Sequence, residues 1–209
     1  MVSGRALVLS EVKNYSSAII QSFSSGDLGG KELADLIFGK ANFSARLPIS
    51  IPTDAACAPT YYNQYDYWHT HGGYIDARKM IDYPFGFGLS YSNFVYSDVT
   101  ADKKDVRIGE KFTLSIEVKN DSDTDGTDVL QLYFRDTVCK ILRPVRSLID
   151  FKRVNIKAGE SVRVDFTVDS MKLGYLDSDC KYNVDAGEIK LFISGDGVSF
   201  KEAVINLTE

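Results

Sequence analysis

The sequence predicts an α+β chain in which a two-sheet β-sandwich follows a partial α/β segment of βααβ order. Three observations lead there. From about residue 94 onward, short stretches alternate apolar and polar residues, with turn signals between them. Residues 1–52 instead mix two strand-like runs with two runs of helical spacing. Residues 53–82 hold no period of 2 or 3.6 and are crowded with aromatic rings, as is the connector that follows them to about 93. The expected division is therefore a partial α/β unit over 1–52, a loop and connector over 53–93, and a sandwich over 94–209.

Taken in order, "ALVLS" (6–10) reads as a short buried strand. "EVKNYSSAIIQSF" (11–23) places Val12, Tyr15, Ile19 and Phe23 on one helical face. Glycines in "SSGDLGG" break it. "KELADLIFG" (31–39) is a second helix, with Leu33, Leu36 and Ile37 on one side and Gly39 just past its end. "ARLPISIP" (45–52) reads as a second strand bounded by prolines. Two strands and two helices cannot enclose a sheet whose two faces both need cover, so this half is expected to expose apolar surface and to self-associate or dock elsewhere.

The sandwich is announced by "KFTLSIEVKN" (111–120), whose Phe112, Leu114, Ile116 and Val118 alternate with polar neighbours. In "DVLQLYFRD" (128–136), Val129, Gln131 and Tyr133 share one face, and Leu130, Leu132 and Phe134 the other. Strands at 147–156, 161–169, 182–196 and 201–207 follow, separated by turns at 121–126, 157–160 and 185–188. About seven short strands in this length is a sandwich pattern.

Composition narrows the partners. The 209 residues carry a net charge of −5 and are 44% hydrophobic and 25% charged, which is ordinary globular composition. An acidic surface argues against nucleic acid and against an anionic membrane, and no apolar run is long enough to span one. Cys57, Cys139 and Cys180 are odd in number and far apart, so three free thiols are expected. Together with an N-terminus that lacks a leader pattern, they favour a cytoplasmic compartment. "MVSGRALVLS" begins within strand-like sequence, as though cut from something longer. His69 and His71 are the chain's two histidines and have no third ligand near them, so neither a metal nor a cofactor is indicated. "DSDTDG" (121–126) lacks the twelfth-position glutamate of a calcium loop, where Leu132 stands. Sequons occur at Asn14, Asn42, Asn120 and Asn206.

Two aromatic stretches are candidate sites. "YDYWHTHGGYIDAR" (65–78) sets Trp68 beside His69, His71, Asp76 and Arg78, the mixture of stacking ring and polar groups that sugar sites use. A loop packed on its own side chains accounts for the same residues. "YPFGFGLSY" (83–91) carries Tyr83, Phe85, Phe87 and Tyr91, each able to bury roughly 150–250 Å². Gly86 and Gly88 allow unusual backbone angles. An interdomain seam suits these rings better than a carbohydrate platform, which needs them exposed.

Three motifs in order resemble the family 3 glycoside hydrolases. "GDLGGKELADLIFGKANFSARLPISIP" (26–52) is similar to the end of their α/β sandwich domain, with Gly26, Gly30, Ala34, Asp35, Phe38, Gly39, Asn42, Ser44, Arg46, Leu47 and Pro48 in place. Phe43 and Ala45 depart from the usual proline and glycine. "DYPFGFGLSYSNFVYSDV" (82–99) resembles the connector that follows. "VKNDSDTDGTDVLQLYFRD" and "RPVRSLIDFKRVNIKAGESVRVDFTVD" resemble the fibronectin type III-like domain, which makes the sandwich immunoglobulin/fibronectin III-like.

The resemblance implies retaining hydrolysis, which uses a nucleophilic and an acid/base carboxyl group about 5–5.5 Å apart. In the family the nucleophile comes from a barrel domain, and the acid/base glutamate from upstream of the strand that here reads "SGRAL" (3–7). No catalytic residue transfers to this chain, which is expected to be inactive alone. The implied role is structural: to buttress the active-site domain, with the barrel as partner and β-glucosides as substrates of the full enzyme only. A free-standing carbohydrate- or protein-binding module and an inactive truncated product are the competing readings.

Overall fold

The structure, a computed structural model, describes residues 1–63, 80–137 and 139–209. The chain is mostly β, with few helices. Helices are α1 (Val12–Tyr15) and α2 (Gly29–Ile37). Strands are β1 (Ile51–Pro52), β2 (Ile81–Tyr83), β3 (Phe94–Tyr96), β4 (Thr100–Ala101), β5 (Asp105–Arg107), β6 (Lys111–Asn120), β7 (Gly126–Asp136), β8 (Ser147–Ile156), β9 (Ser161–Asp169), β10 (Tyr175–Leu176), β11 (Tyr182–Asn183), β12 (Gly187–Ser194) and β13 (Lys201–Thr208).

Two sheets enclose one core. In the first, β9 pairs along nearly all of β6, so β3 and β4 must share the other edge of β6. The second runs β5-β13-β12-β7-β8, antiparallel except for the parallel β13–β5 pair. Ile149 is the extra residue where the β7–β8 register shifts. The inner faces meet as the period of two requires. Leu114, Ile116 and Val118 of β6 and Val164, Phe166 and Val168 of β9 join the same cluster as Leu130, Leu132 and Phe134 of β7 and Ile189, Leu191 and Ile193 of β12.

The long strands lie where the alternation put them. Four short ones, β3, β4, β5 and β10, are too brief to show a period in sequence. The expected strand at 182–196 divides into β11 and β12.

The N-terminal half departs further. No strand forms at 6–10: Leu9 is buried, but no described segment pairs with this backbone. The helix expected over 11–23 is one turn, because Ser16 is already extended at φ −117° and ψ 129°. Val12 in that turn is exposed. Tyr15 is 92% exposed, and a single turn without tertiary support does not propagate. Of the strand expected at 45–52, Ile51 and Pro52 alone pair, with β2. Leu47 instead exchanges backbone hydrogen bonds with the connector: its N–H donates to the Phe87 carbonyl and its carbonyl accepts from Gly86 N–H, both at 2.8 Å.

Helix α2 ends as expected. Gly39 takes φ +70°, and the Lys40 and Gly39 N–H groups close onto the Asp35 and Leu36 carbonyls. None of its residues is buried. Val2, Leu28, Ile37 and Phe38 are all more than half exposed, leaving an apolar face on residues 1–38.

Candidate functional site

Strand β7 is buried on both sides, and the reason locates the site. Its inner face is the core. On its outer face Gln131 and Tyr133 retain 3% and 4% of their exposure, because the connector lies across them. Gly86 sits against Gln131 so closely that a Cβ built there would fall 2.2 Å from the amide oxygen, at a backbone φ of +82°. Gln131 Nε2 donates to the Gly86 carbonyl at 3.3 Å, and Tyr133 Oη donates to Gln131 Oε1 at 2.5 Å.

Segment 42–50 is pinned to the same region by side chains whose partners the sequence does not report. Asn42 uses its whole amide. Nδ2 donates to Ser92 Oγ (2.8 Å) and the Asp125 carbonyl (2.9 Å), while Oδ1 accepts from Ser90 Oγ and Tyr91 N–H, each at 2.9 Å. Arg46 donates to the Gly88 carbonyl and, at 2.5 Å, to Asp128 Oδ1. The two side chains are 9% and 1% exposed. Asp128 also accepts from Tyr96 Oη at 2.8 Å and from Val129 N–H. Burial, then the Asp128 carboxylate, pushes the Tyr96 hydroxyl far above the usual phenol range. Arg46 Nε is buried without an acceptor among the described residues. The faintest sequence signal for this hub is Asp128, a lone carboxylate opening an apolar strand.

The connector rings take varied places. Tyr83 and Phe87 lie 5.2 Å apart, and Phe85 stacks on Tyr62 at 4.6 Å. Tyr91 is half exposed, its edge on Phe43 at 5.4 Å and its hydroxyl donating to the Leu36 carbonyl at 2.7 Å. Tyr91 thereby ties the connector to α2. Trp68, His69, His71, Asp76 and Arg78 lie outside the described residues.

Beside the connector, Ser50, Tyr62, Phe85, Tyr133, Arg146 and Phe200 line a cleft of about 100 Å³. Arg146 Cζ stands 3.8 Å over the Phe200 ring. Burial raises the Tyr133 hydroxyl well above its ordinary range and lowers that of the Arg146 guanidinium. A second cleft, of about 360 Å³, opens among Val2, Ser22, Ser25, Gly26 and Leu33. Among the described residues, neither is lined by a carboxyl group. Among the described residues, no group of three or more His, Cys, Asp or Glu side chains is placed to hold a metal.

Comparison with known proteins accounts for this arrangement. A glycosyl hydrolase family 3 C-terminal domain signature matches residues 1–91, and a fibronectin type III-like domain signature matches residues 128–196. Over residues 1–91 the chain is the C-terminal domain of glycoside hydrolase family 3. It corresponds to the C-terminal portion of the β-glucosidase-like members. It is 32% identical to a periplasmic β-glucosidase of Salmonella typhimurium, over 99% of this chain and 28% of that protein. It is 30% identical to a β-xylosidase of Formosa agariphila, over 100% of this chain and 29% of that one. The solved β-glucosidase of Erythrobacter marinus superimposes with a TM-score of 0.92 at 32% identity, covering 99% of this chain and 27% of its own. This family 3 chain therefore spans under a third of the length of the relatives it matches.

Proposed function

We propose that this chain is a non-catalytic, structural portion of a retaining β-glucosidase-like enzyme. Its immunoglobulin/fibronectin III-like sandwich buttresses the domain that carries the active site. The observation that carries the reading is the buried Arg46–Asp128 pair. It joins a segment within the family 3 signature at 1–91 to the first strand residue of the fibronectin-like signature. A hydrolytic step that tolerates little misplacement of its acid/base group needs such a rigid mount.

The division into a partial α/β unit (1–52), a loop and connector (53–93) and a sandwich (94–209) follows, with Tyr83, Phe85, Phe87 and Tyr91 forming the seam. The partner is the barrel domain, on the same or a separate polypeptide, and β-glucosides are substrates of the assembled enzyme. The exposed Val2, Leu28, Ile37 and Phe38 are where the remainder of the enzyme, or a second copy of the chain, covers residues 1–52. Clefts without a carboxyl group fit a mechanism whose two acids come from elsewhere.

The test is turnover of an aryl β-glucoside by the purified 209-residue chain, alone and with the remaining enzyme portion supplied in trans. No release by the chain alone, with activity on association, supports the scaffold. Release of glucose by the chain alone rules it out, and association without activity favours a binding module.

A further inference from the structure

We infer that the cleft over Phe200 is an anchor site for a single carboxylate group, with Arg146 as the cation that receives it. Three arginines are part-buried among the described residues: Arg46, Arg143 and Arg146. Arg46 has Asp128 and the Gly88 carbonyl. Arg143 has Asp136 and the carbonyls of Leu173 and Gly174, all at 3.0 Å. Arg146 has the Phe200 ring beneath it and no oxygen acceptor among the described residues. Nor does any carboxylate contribute to its titration: burial first, and the like charge of Arg135 after it, move it downward against the Tyr133 hydroxyl. A partly desolvated guanidinium whose five donors lack an acceptor among the described residues is a site in waiting for an anion, and its planar fork fits a carboxylate in two-point contact.

The shape of the cleft selects the size of the group. Its volume of about 100 Å³ is that of roughly three waters at ~30 Å³ each, well below the ~300 Å³ at which whole-ligand pockets begin. It therefore takes a carboxylate and one or two carbons, while the rest of the ligand lies outside. Ser50 Oγ already accepts from Phe85 N–H at 3.1 Å and has its own proton to donate to a ligand. The rings of Tyr62, Phe85, Tyr133 and Phe200 exclude water around the ion pair. Tyr62, 39% exposed, offers ring surface at the edge for a sugar to rest on.

The carboxylate can arrive on a sugar ring, as a uronate, or on a small organic acid. The inference goes beyond the scaffolding role and stands without it; that role bears on the choice of sugar probe alone. The experiment titrates the 209-residue chain with sodium glucuronate, sodium acetate and glucose, holding ionic strength with sodium chloride. It follows the thermal midpoint and the arginine Nε–H signals by NMR. Saturable millimolar responses are expected to glucuronate and acetate, and none to glucose or chloride. Glucuronate binding at least tenfold tighter than acetate assigns the site to a sugar acid; equal binding assigns it to the carboxylate alone. Arg146→Met should abolish both responses, and Arg146→Lys, which keeps the charge without the fork, should weaken them about tenfold or more. Should Arg146→Met not fold, the Lys variant decides. No saturable response in the unaltered chain, or full response in either variant, overturns the assignment.

Discussion

Removing the Arg46 guanidinium tests the central tie between the two halves. Arg46→Met keeps most of the apolar stem but leaves the Asp128 carboxylate, 1% exposed, with Tyr96 Oη and Val129 N–H as its remaining donors among the described residues. A buried charge stripped of its counter-ion costs about 3–5 kcal/mol. The unsatisfied Arg46 Nε already subtracts about 1–3 kcal/mol from what the pair contributes, which places the expected loss near the lower end, at about 3 kcal/mol. That is a large share of a typical domain's net stability. Urea unfolding followed by circular dichroism should show a lower midpoint with an unchanged slope. Arg46→Met combined with Asp128→Leu should lose about 2 kcal/mol less than the sum of the single losses, since the charge that made the first change costly is gone. A single loss below about 1 kcal/mol with no coupling would show that the pair is effectively solvated, and the tie would not be a mechanical one.

Gly86→Ala should destabilise by more than about 2 kcal/mol in the same assay, because the added carbon meets Gln131 at 2.2 Å while φ stays at +82°; proteolysis should then cut first near the connector, and an unchanged urea midpoint would contradict the close approach. Phe166→Ala, at 0% exposure, should cost about 3–5 kcal/mol, against under about 0.5 kcal/mol for Phe38→Ser on the exposed face of residues 1–38. Sedimentation should show the Phe38→Ser chain less self-associated than the unaltered one; identical distributions would remove that face from the interface. Stability should also fall at both ends of the pH scale. Lys181 N–H holds the Asp177 carboxyl below its usual range, and the Tyr175 hydroxyl with Lys140 does so for Asp185. The unfolded chain therefore binds more protons below about pH 5, and stability present above that value is lost as pH falls toward and through the depressed folded values. Burial raises Tyr96 and Tyr133, so the folded chain keeps phenolic protons that the unfolded chain releases above about pH 10, and stability declines there. Urea midpoints at pH 3, 7 and 11 check both limbs, and equal midpoints at pH 3 and 7 would sink the first.

The long strands were legible chiefly because a half-buried strand must alternate, as β6 and β9 do over ten and nine residues. Gly39 was legible for an equally local reason: the turn after α2 needs positive φ. The strand expected at 6–10 and the helix expected at 11–23 failed because apolar spacing states only what a segment could bury. Whether a neighbour exists to bury it is a property of the assembly. Leu47 shows the same gap at one residue, its backbone bonds going to the connector in place of a sheet.

Composition, the three motifs and their order determined by themselves which family this chain resembles and where the long strands of the sandwich lie, since both are encoded in residues close together along the chain. The tertiary structure alone decided that Arg46 meets Asp128 across 82 positions, that the outer face of β7 is sealed by Gly86, and that Arg146 has no oxygen acceptor among the described residues. Those facts arise from which distant side chains share a low-dielectric space, and no local pattern reports that.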